Sequence, residues 1–161
     1  MSKTQIPTGG IADDAVTAAK ATGFGKIGQV LQVTTKTETA TNSTSFVDCT
    51  NMSLNITPSA TSSKILAIAN VAGIICSAND GDAVSLRVLR DSTEVSVLIN
   101  VNYQTNDDQI LNCVPMTVLD SPSSSSQLTY KIQVRNRLSN NVSMNGSGDS
   151  DTSLTLIEVL A

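Results

Sequence analysis

Residues 128–135, LTYKIQVR, alternate strictly between apolar and polar side chains. This period of two is typical of a β-strand with one buried face and one wet face. The same alternation, together with turn residues between apolar runs, predicts nine strands. They lie near residues 28–35, 45–56, 64–75, 83–90, 94–101, 109–119, 127–137, 140–145 and 152–160. Strands this short and this evenly spaced predict an all-β fold, a jelly-roll-like sandwich of about eight or nine strands.

Two of these segments are apolar on both faces for part of their length. Residues 65–69 read ILAIA and residues 154–159 read LTLIEV. Such strands lie at the centre of a sheet or form a subunit interface, so Leu154 and Leu156 are candidate interface residues. Arg87 is a third candidate, because a charge on a central strand must find a partner or a subunit boundary. The alternative is an ordinary arginine whose charged end reaches water from the outer face.

Composition limits the functions that are open to the chain. Its 161 residues include four aromatic side chains and no Trp or His. The core must therefore be mainly aliphatic, and association between copies is an expected source of further burial. A net charge of −4 gives no basic field for phosphate groups, so we expect no nucleic-acid binding. The sequence contains neither an apolar run of the ~20 residues that a membrane helix needs nor a signal-peptide pattern, so we expect no membrane insertion.

No arrangement of residues indicates an enzyme or a cofactor site. Without His, nucleophiles activated by His and metals bound by His are excluded. Cys49, Cys76 and Cys113 are odd in number and widely spaced, which predicts buried thiols in a reducing cytosol. Residues 79–82 (NDGD) and 106–108 (NDD) carry oxygen ligands but lack the spacing of a calcium loop, so polar turns are predicted and a bound cation is the alternative. We therefore expect no catalytic, cofactor-binding or metal-binding residues.

The first 25 residues differ in character from the rest. Residues 7–10 have turn chemistry, and the two acidic residues at 13–14 favour the first turn of a short helix that ends near Ala21. Such a helix is shorter than the ~12–15 residues that persist alone in water, so it needs a partner surface. We divide the chain into an N-terminal docking arm, 1–25, and a β-sandwich domain, 26–161. The arm residues expected to dock are Ile6, Pro7, Ile11 and Val16.

Four segments resemble a domain that recurs in bacteriophage tail-fibre-like and related virion proteins. They are GQVLQV at 28–33, MSLNITPSATSSKIL at 52–66, LTLIEV at 154–159 and IADDAVTAAK at 11–20, the last of which is similar to the linkers that precede such domains. The resemblance covers nearly the whole chain in the same order. It implies a virion protein, a homotrimer whose arm docks on the particle and whose β-domain faces outward. The short leader and the absence of a repeat array favour a capsid-decorating protein or a short head fibre over a long receptor-probing appendage.

The residues and the resemblance together predict a non-enzymatic structural protein of a bacteriophage virion, made in the host cytoplasm. Capsid decoration and a short tail-fibre-type appendage are equal alternatives within that prediction. The expected partners are two further copies of the chain and other virion proteins, contacted through the arm. A different class, a carbohydrate-binding module that recognises a host surface glycan, would be favoured by an exposed Tyr103 or Tyr130. A sugar hydrolase would need paired carboxylates in a cleft.

Overall fold

A computed structural model of the protein describes residues 26–76, 81–103, 111–146 and 148–160. This part of the chain contains ten β-strands and no helix. The strands are β1 (Lys26–Thr35), β2 (Thr39–Thr41), β3 (Val47–Ile56), β4 (Lys64–Cys76), β5 (Val84–Arg90), β6 (Thr93–Val101), β7 (Leu111–Asp120), β8 (Leu128–Asn136), β9 (Val142–Met144) and β10 (Thr152–Leu160). The all-β prediction is confirmed, and nine of the strands fall where the alternation predicts them. The sequence did not predict β2, which has only three residues.

The strands form two antiparallel sheets that pack face to face. The larger sheet contains β1-β10-β4-β7, and the short β9 and β2 extend it beside the far end of β4. The smaller sheet has the order β3-β8-β5-β6. When β2 and β9 are left out, the remaining eight strands, renumbered in chain order, pair as 1-8-3-6 and 2-7-4-5. This is the order of an eight-stranded jelly roll built from two Greek keys, so the predicted sandwich is confirmed and its strand order is defined.

The core lies between the sheets and is almost entirely aliphatic. Tyr130 of β8 is its one aromatic member among the described residues, surrounded by Val, Ile, Leu, Ala, Met and Cys side chains. Strand β8 pairs with β3 on one side and with β5 on the other, so its alternating apolar residues line the middle of the smaller sheet. The predicted aliphatic core is therefore confirmed.

The doubly apolar strands β4 and β10 lie at the centre of the larger sheet. Strand β10 pairs with β1 and β4, and β4 also pairs with β7. Leu154 and Leu156 point inward and are fully buried, whereas the outward positions of the same strand include Ile157 and Val159. The central position predicted for these strands is confirmed. The predicted interface role of Leu154 and Leu156 stays a prediction, and the structure places both side chains in the core of the single chain.

Proline, aspartate and glycine mark three places where the chain departs from regular strand. Strand β3 ends at Ile56, two residues before Pro58, as expected for a residue that cannot donate to the ladder. Strands β5 and β6 form a hairpin closed by Asp91 and Ser92, and Asp91 adopts a φ of 52°. Gly73, with a φ of 60°, interrupts β4 where a Cβ would lie 2.9 Å from the backbone of Asn145. A larger residue would therefore force β4 and the turn after β9 apart.

One of the three predicted buried cysteines is exposed. Cys49 and Cys76 are buried, which matches the prediction, but Cys113 is exposed. The prediction was wrong for Cys113 because it lies on the outward side of β7, a strand that pairs only with β4. Its thiol donates a hydrogen bond of 2.9 Å to the side-chain oxygen of Asn70. An apolar sequence neighbourhood therefore did not distinguish the two faces of an edge strand.

Candidate functional site

The predicted docking arm lies outside the described residues. Ile6, Pro7, Ile11 and Val16 belong to it, so their docking contacts stay a prediction. The structure does place the point at which the arm joins the domain. Lys26 opens β1 and pairs with Leu160 at the end of β10. The arm therefore leads into the edge of the larger sheet, beside the closing strand of the fold.

A buried carboxylate holds this junction together. Glu158 of β10 points into the sandwich and is 1% exposed. One carboxylate oxygen accepts hydrogen bonds of 2.6 Å from both the backbone N–H and the hydroxyl of Ser59, and the other accepts a bond of 2.9 Å from the side-chain amide of Gln29. The amide of Gln29 also donates to the carbonyl of Thr57 at 2.7 Å. We call these three residues, Gln29, Ser59 and Glu158, the junction clasp.

The junction clasp ties three segments that are remote in sequence. Burial alone would raise the pKa of Glu158, but the hydrogen bonds from Ser59 and Gln29 outweigh it and hold the pKa at about 2. The carboxylate is therefore charged at neutral pH and accepts all its bonds. It fixes the start of β1 and the loop after β3 to the centre of the larger sheet. Sequence analysis missed it, because the only signal was a lone acidic residue inside an apolar strand.

Arg87 lies on the outer side of the smaller sheet. Its guanidinium donates to the side-chain oxygen of Gln133 at 2.7 Å and pairs with Glu94 at 3.1 Å. The guanidinium also stacks over the ring of Phe46, 4.2 Å from its centre, and that of Arg135 lies 4.9 Å from the same centre. Of the two roles weighed for Arg87, the single chain shows it satisfied on the outer face. Its role at a subunit interface stays a prediction.

On the surface around Arg87, acidic and basic side chains pair with one another. Asp48 of β3 accepts from Lys131 at 2.9 Å and from the side-chain amide of Gln133. The bond from Gln133, together with the positive charges of Lys131 and Arg87, lowers the pKa of Asp48 below its usual value despite partial burial. The arrangement links β3, β8, β5 and β6 across the sheet. We call this side of the smaller sheet the charged face.

The described part of the chain contains no group of three or more Asp, Glu or Cys residues placed to hold a metal ion. A surface pocket of about 300 Å³ is lined by Ser62, Lys64, Leu119, Val159 and Leu160, with no acid–base pair and no aromatic ring. Within the same ranges, no helix is present that could cross a membrane.

Both candidate cation turns fall largely outside the described residues. Residues 77–80 and 104–110 are not described, so the polar turns and the alternative of a bound cation both stay predictions. Asp82 is described and fully buried, and it accepts from the N–H of Ala83 and from the side-chain amide of Asn136. Its two oxygens therefore join the loop between β4 and β5 to Asn136 at the end of β8.

The two tyrosines that bear on glycan binding have opposite environments. Tyr130 is buried, and its hydroxyl donates to Asp120 at 2.6 Å. Tyr103 is 47% exposed, and the guanidinium of Arg137 lies 5.3 Å from the centre of its ring. Only Tyr103 is therefore accessible, and a cation occupies one side of its ring.

Comparison with known proteins relates the chain by fold alone. No protein-family model matches the sequence, and no curated protein matches it. Among solved structures, the VP2 subviral particle of infectious bursal disease virus is similar with a TM-score of 0.50 at 13% identity, over 81% of this chain and 32% of that one. The structure of the Gx strain of infectious bursal disease virus aligns with a TM-score of 0.46 at 12% identity, over 81% of this chain and 31% of that one. A Stig cyclase, Fisc, from Fischerella sp. TAU aligns at only 0.34, with 15% identity over 64% and 52%. The chain spans about a third of the length of these two virus chains. At 13% identity, the similarity to the VP2 subviral particle shows a shared jelly-roll-type β fold.

Proposed function

We propose that this protein is a non-enzymatic structural component of a bacteriophage particle. In this proposal it is a trimeric β-knob that is attached to the virion by its N-terminal arm. Capsid decoration, as a head fibre, and a short tail-fibre-type appendage are the two locations that fit. The virion is its place of action, and the host cytoplasm is where it is made.

The observation that carries the proposal is a closed jelly roll whose N-terminal junction is clasped from inside. Glu158 ties Gln29 of β1 to Ser59, so a pull on residues 1–25 would be transmitted to the centre of the larger sheet rather than peeling an edge strand away. An appendage that is held by one end needs such a junction. The likeness of fold to VP2 in a virus particle also supports the proposal.

A carbohydrate-binding module is the second candidate, favoured by the exposed ring of Tyr103. Sugar rings stack on open aromatic faces. Here the ring of Phe46 is contacted by two arginines, and that of Tyr103 by one. The pocket beside Leu119 has no aromatic lining residue. These contacts favour the structural role over glycan recognition.

Locating the protein on particles tests the proposal. Virions of the phage that encodes the chain would be purified, and antibodies against the β-domain would be followed by electron microscopy. We expect labelling at regular sites on the head or at the tail. Purified virions that lack the protein would contradict the structural role, and binding of the free protein to host-surface glycan arrays would favour the second candidate.

The docking arm is tested by substitution in the full-length chain. Ile11→Asp and Val16→Asp place charges on apolar arm residues and should reduce incorporation into virions by about tenfold or more, because burying an unpaired carboxylate is costly. Thr8→Asp adds the same charge at a polar arm residue and serves as the control. Full incorporation of both apolar variants would assign docking to the β-domain instead.

A further inference from the structure

The outward side of the larger sheet carries a row of four aliphatic side chains. Strand pairing sets Val30 of β1, Ile157 of β10, Leu66 of β4 and Leu119 of β7 side by side. The two end members are largely open, since Val30 is 59% exposed and Leu119 is 52% exposed. The two central members are half-buried between them. We call these four residues the aliphatic row.

The aliphatic row belongs to a wider apolar surface. Ile27 and Val159 pair next to it on one side, and Ile68 lies in the adjacent row on the other. Eight large hydrophobic side chains are exposed in the described part of the chain, and half of them are on this face. Those four are Ile27, Val30, Ile68 and Leu119. A contiguous apolar surface of this kind marks a contact site, whereas scattered single residues would not.

Charge is confined to one end of the same surface, where the exposed Lys64 pairs with Val159 in the row that also contains Ile27. The two rows on the other side of the aliphatic row consist of Thr, Ser, Asn, Gln, Pro and Ile side chains, so these rows and the aliphatic row form three successive rows across four strands with no charged residue. The charged face on the opposite side of the sandwich contains five ionised side chains. They are Asp48, Arg87, Glu94, Lys131 and Arg135. Loss of charge is the compositional mark of the core of a protein interface.

We propose that copies of this chain associate through the outward face of β1-β10-β4-β7, with the aliphatic row at the centre of the contact. Around a symmetry axis, residues near the axis meet their own copies, so any charge placed there would repel itself. Each chain carries a net charge of −4, and a face with an uncharged centre brings copies together with the least repulsion. The inference rests on the proposed function only for the number of copies, which it leaves at three.

The size of the face suits a second copy. Four strands spaced ~4.8 Å apart and four residue rows, each about 6.7 Å deep, give roughly 500 Å² per chain when the row of Ile27, Val159 and Lys64 is included as the rim. Three such faces turned towards one axis bury about 1,500 Å² in all, which lies in the range of specific interfaces between folded proteins. The face is also about twice as broad as a single helix, which is ~10 Å across. Another sheet face therefore fits it better than one peptide segment.

Light scattering and sedimentation of the full-length protein test the proposal. Leu119→Lys and Val30→Lys replace open side chains, so the fold should be retained while a charge is placed in the contact. We expect each to raise the concentration of half-assembly by about tenfold or more, since a tenfold change corresponds to only ~1.4 kcal/mol. Ile99→Lys is the matched control, because Ile99 of β6 is 50% exposed on the smaller sheet. Circular dichroism checks the fold, and Leu119→Thr gives a milder variant if Leu119→Lys does not fold.

Each outcome decides the proposal. Dissociation by Leu119→Lys or Leu119→Thr, with Ile99→Lys assembled as in the wild type, supports this face. A monomeric wild type at micromolar concentration, or row variants that assemble like the wild type, overturns it, as does dissociation by Ile99→Lys alone. A protein that is monomeric but present on virions refutes this interface and leaves the virion role intact. An oligomer that depends on the aliphatic row but is absent from virions supports this interface and refutes the virion role.

Discussion

The two outer faces of the sandwich differ although their sheets share one core. The charged face joins four strands through ion pairs and hydrogen bonds that centre on Arg87 and Gln133. The opposite face has three rows without a charge and a line of aliphatic side chains from Val30 to Leu119. Alternation explains which side chains enter the core, but it does not explain why the outward sets differ. This difference is expected if one face meets water and the other meets further copies of the chain, as we propose.

Two alanine substitutions on β10 compare the inward and outward sides of one strand. The inward one should have the largest effect on the free energy of unfolding. Leu156→Ala removes a fully buried side chain and should lower the free energy of unfolding by about 2–5 kcal/mol. Ile157→Ala removes a half-buried side chain of the aliphatic row and should cost less than half as much at concentrations where the chain is dissociated. Urea unfolding measures both. Equal losses in dilute protein would mean that the outward face is already covered within the single chain.

The next largest loss of stability is expected when the polar link between the two sheets is removed. Asp120 of the larger sheet accepts two bonds from Arg90, at 2.6 and 2.7 Å, and one from the hydroxyl of Tyr130, both on the smaller sheet. Asp120→Ala leaves both donors unpaired and should cost about 1–3 kcal/mol. Tyr130→Phe removes only one bond and should cost less. A loss within experimental error for Asp120→Ala would show that this link adds nothing to the packing of the two sheets.

Alkaline pH gives a second readout of the same link. Burial raises the pKa of Tyr130, and its hydrogen bond to Asp120 raises it further. The stabilisation is therefore complete below the ordinary tyrosine pKa of 10.0 and is lost as the pH rises above it. Thermal melts of the wild type should fall in this range more steeply than those of Tyr130→Phe. Parallel curves would contradict the assignment.

The junction clasp gives the larger sheet a buried acid-sensitive site. The pKa of Glu158 is lowered from 4.5 to about 2, so its charged form stabilises the fold above pH 4.5, and this contribution is lost as the pH falls towards 2. Glu158→Gln should lower the melting temperature at pH 7, and its difference from the wild type should shrink over that window. Glu94→Gln on the charged face is the control. A difference that stays constant down to pH 2 would mean that the charge of Glu158 is not what stabilises the junction.

The smallest effect is expected on the charged face itself. Asp48 is well exposed, so the loss of its pair with Lys131 in Asp48→Ala should change the free energy of unfolding by at most about 1 kcal/mol. Added salt should reduce even this effect. Urea unfolding at low and high ionic strength measures it. A loss as large as that of Asp120→Ala would show that the charged face is a structural element rather than a solvated surface.

Much of the fold could be predicted from local pattern. Alternation in residues 128–135 and the turn residues between apolar runs placed nine of the ten strands, and Pro58 marked the end of β3 correctly. The three-residue β2 was missed because its residues, TAT, include no large apolar side chain, whereas the equally short β9 contains Val142 and Met144. Cys113 was placed inside because its apolar neighbours do not reveal that β7 is an edge strand, exposed on its outer side.

By itself, the sequence determined the fold class, the strand positions, the aliphatic core and the exclusion of chemistry that depends on His. These follow from residue types and from a period that each strand carries within itself. Only the tertiary structure decided which residues become neighbours. The junction clasp joins residues 29, 59 and 158, and the aliphatic row takes one residue from each of four strands. Both depend on strand order and register, which pairing between distant segments sets and which no local window of sequence contains.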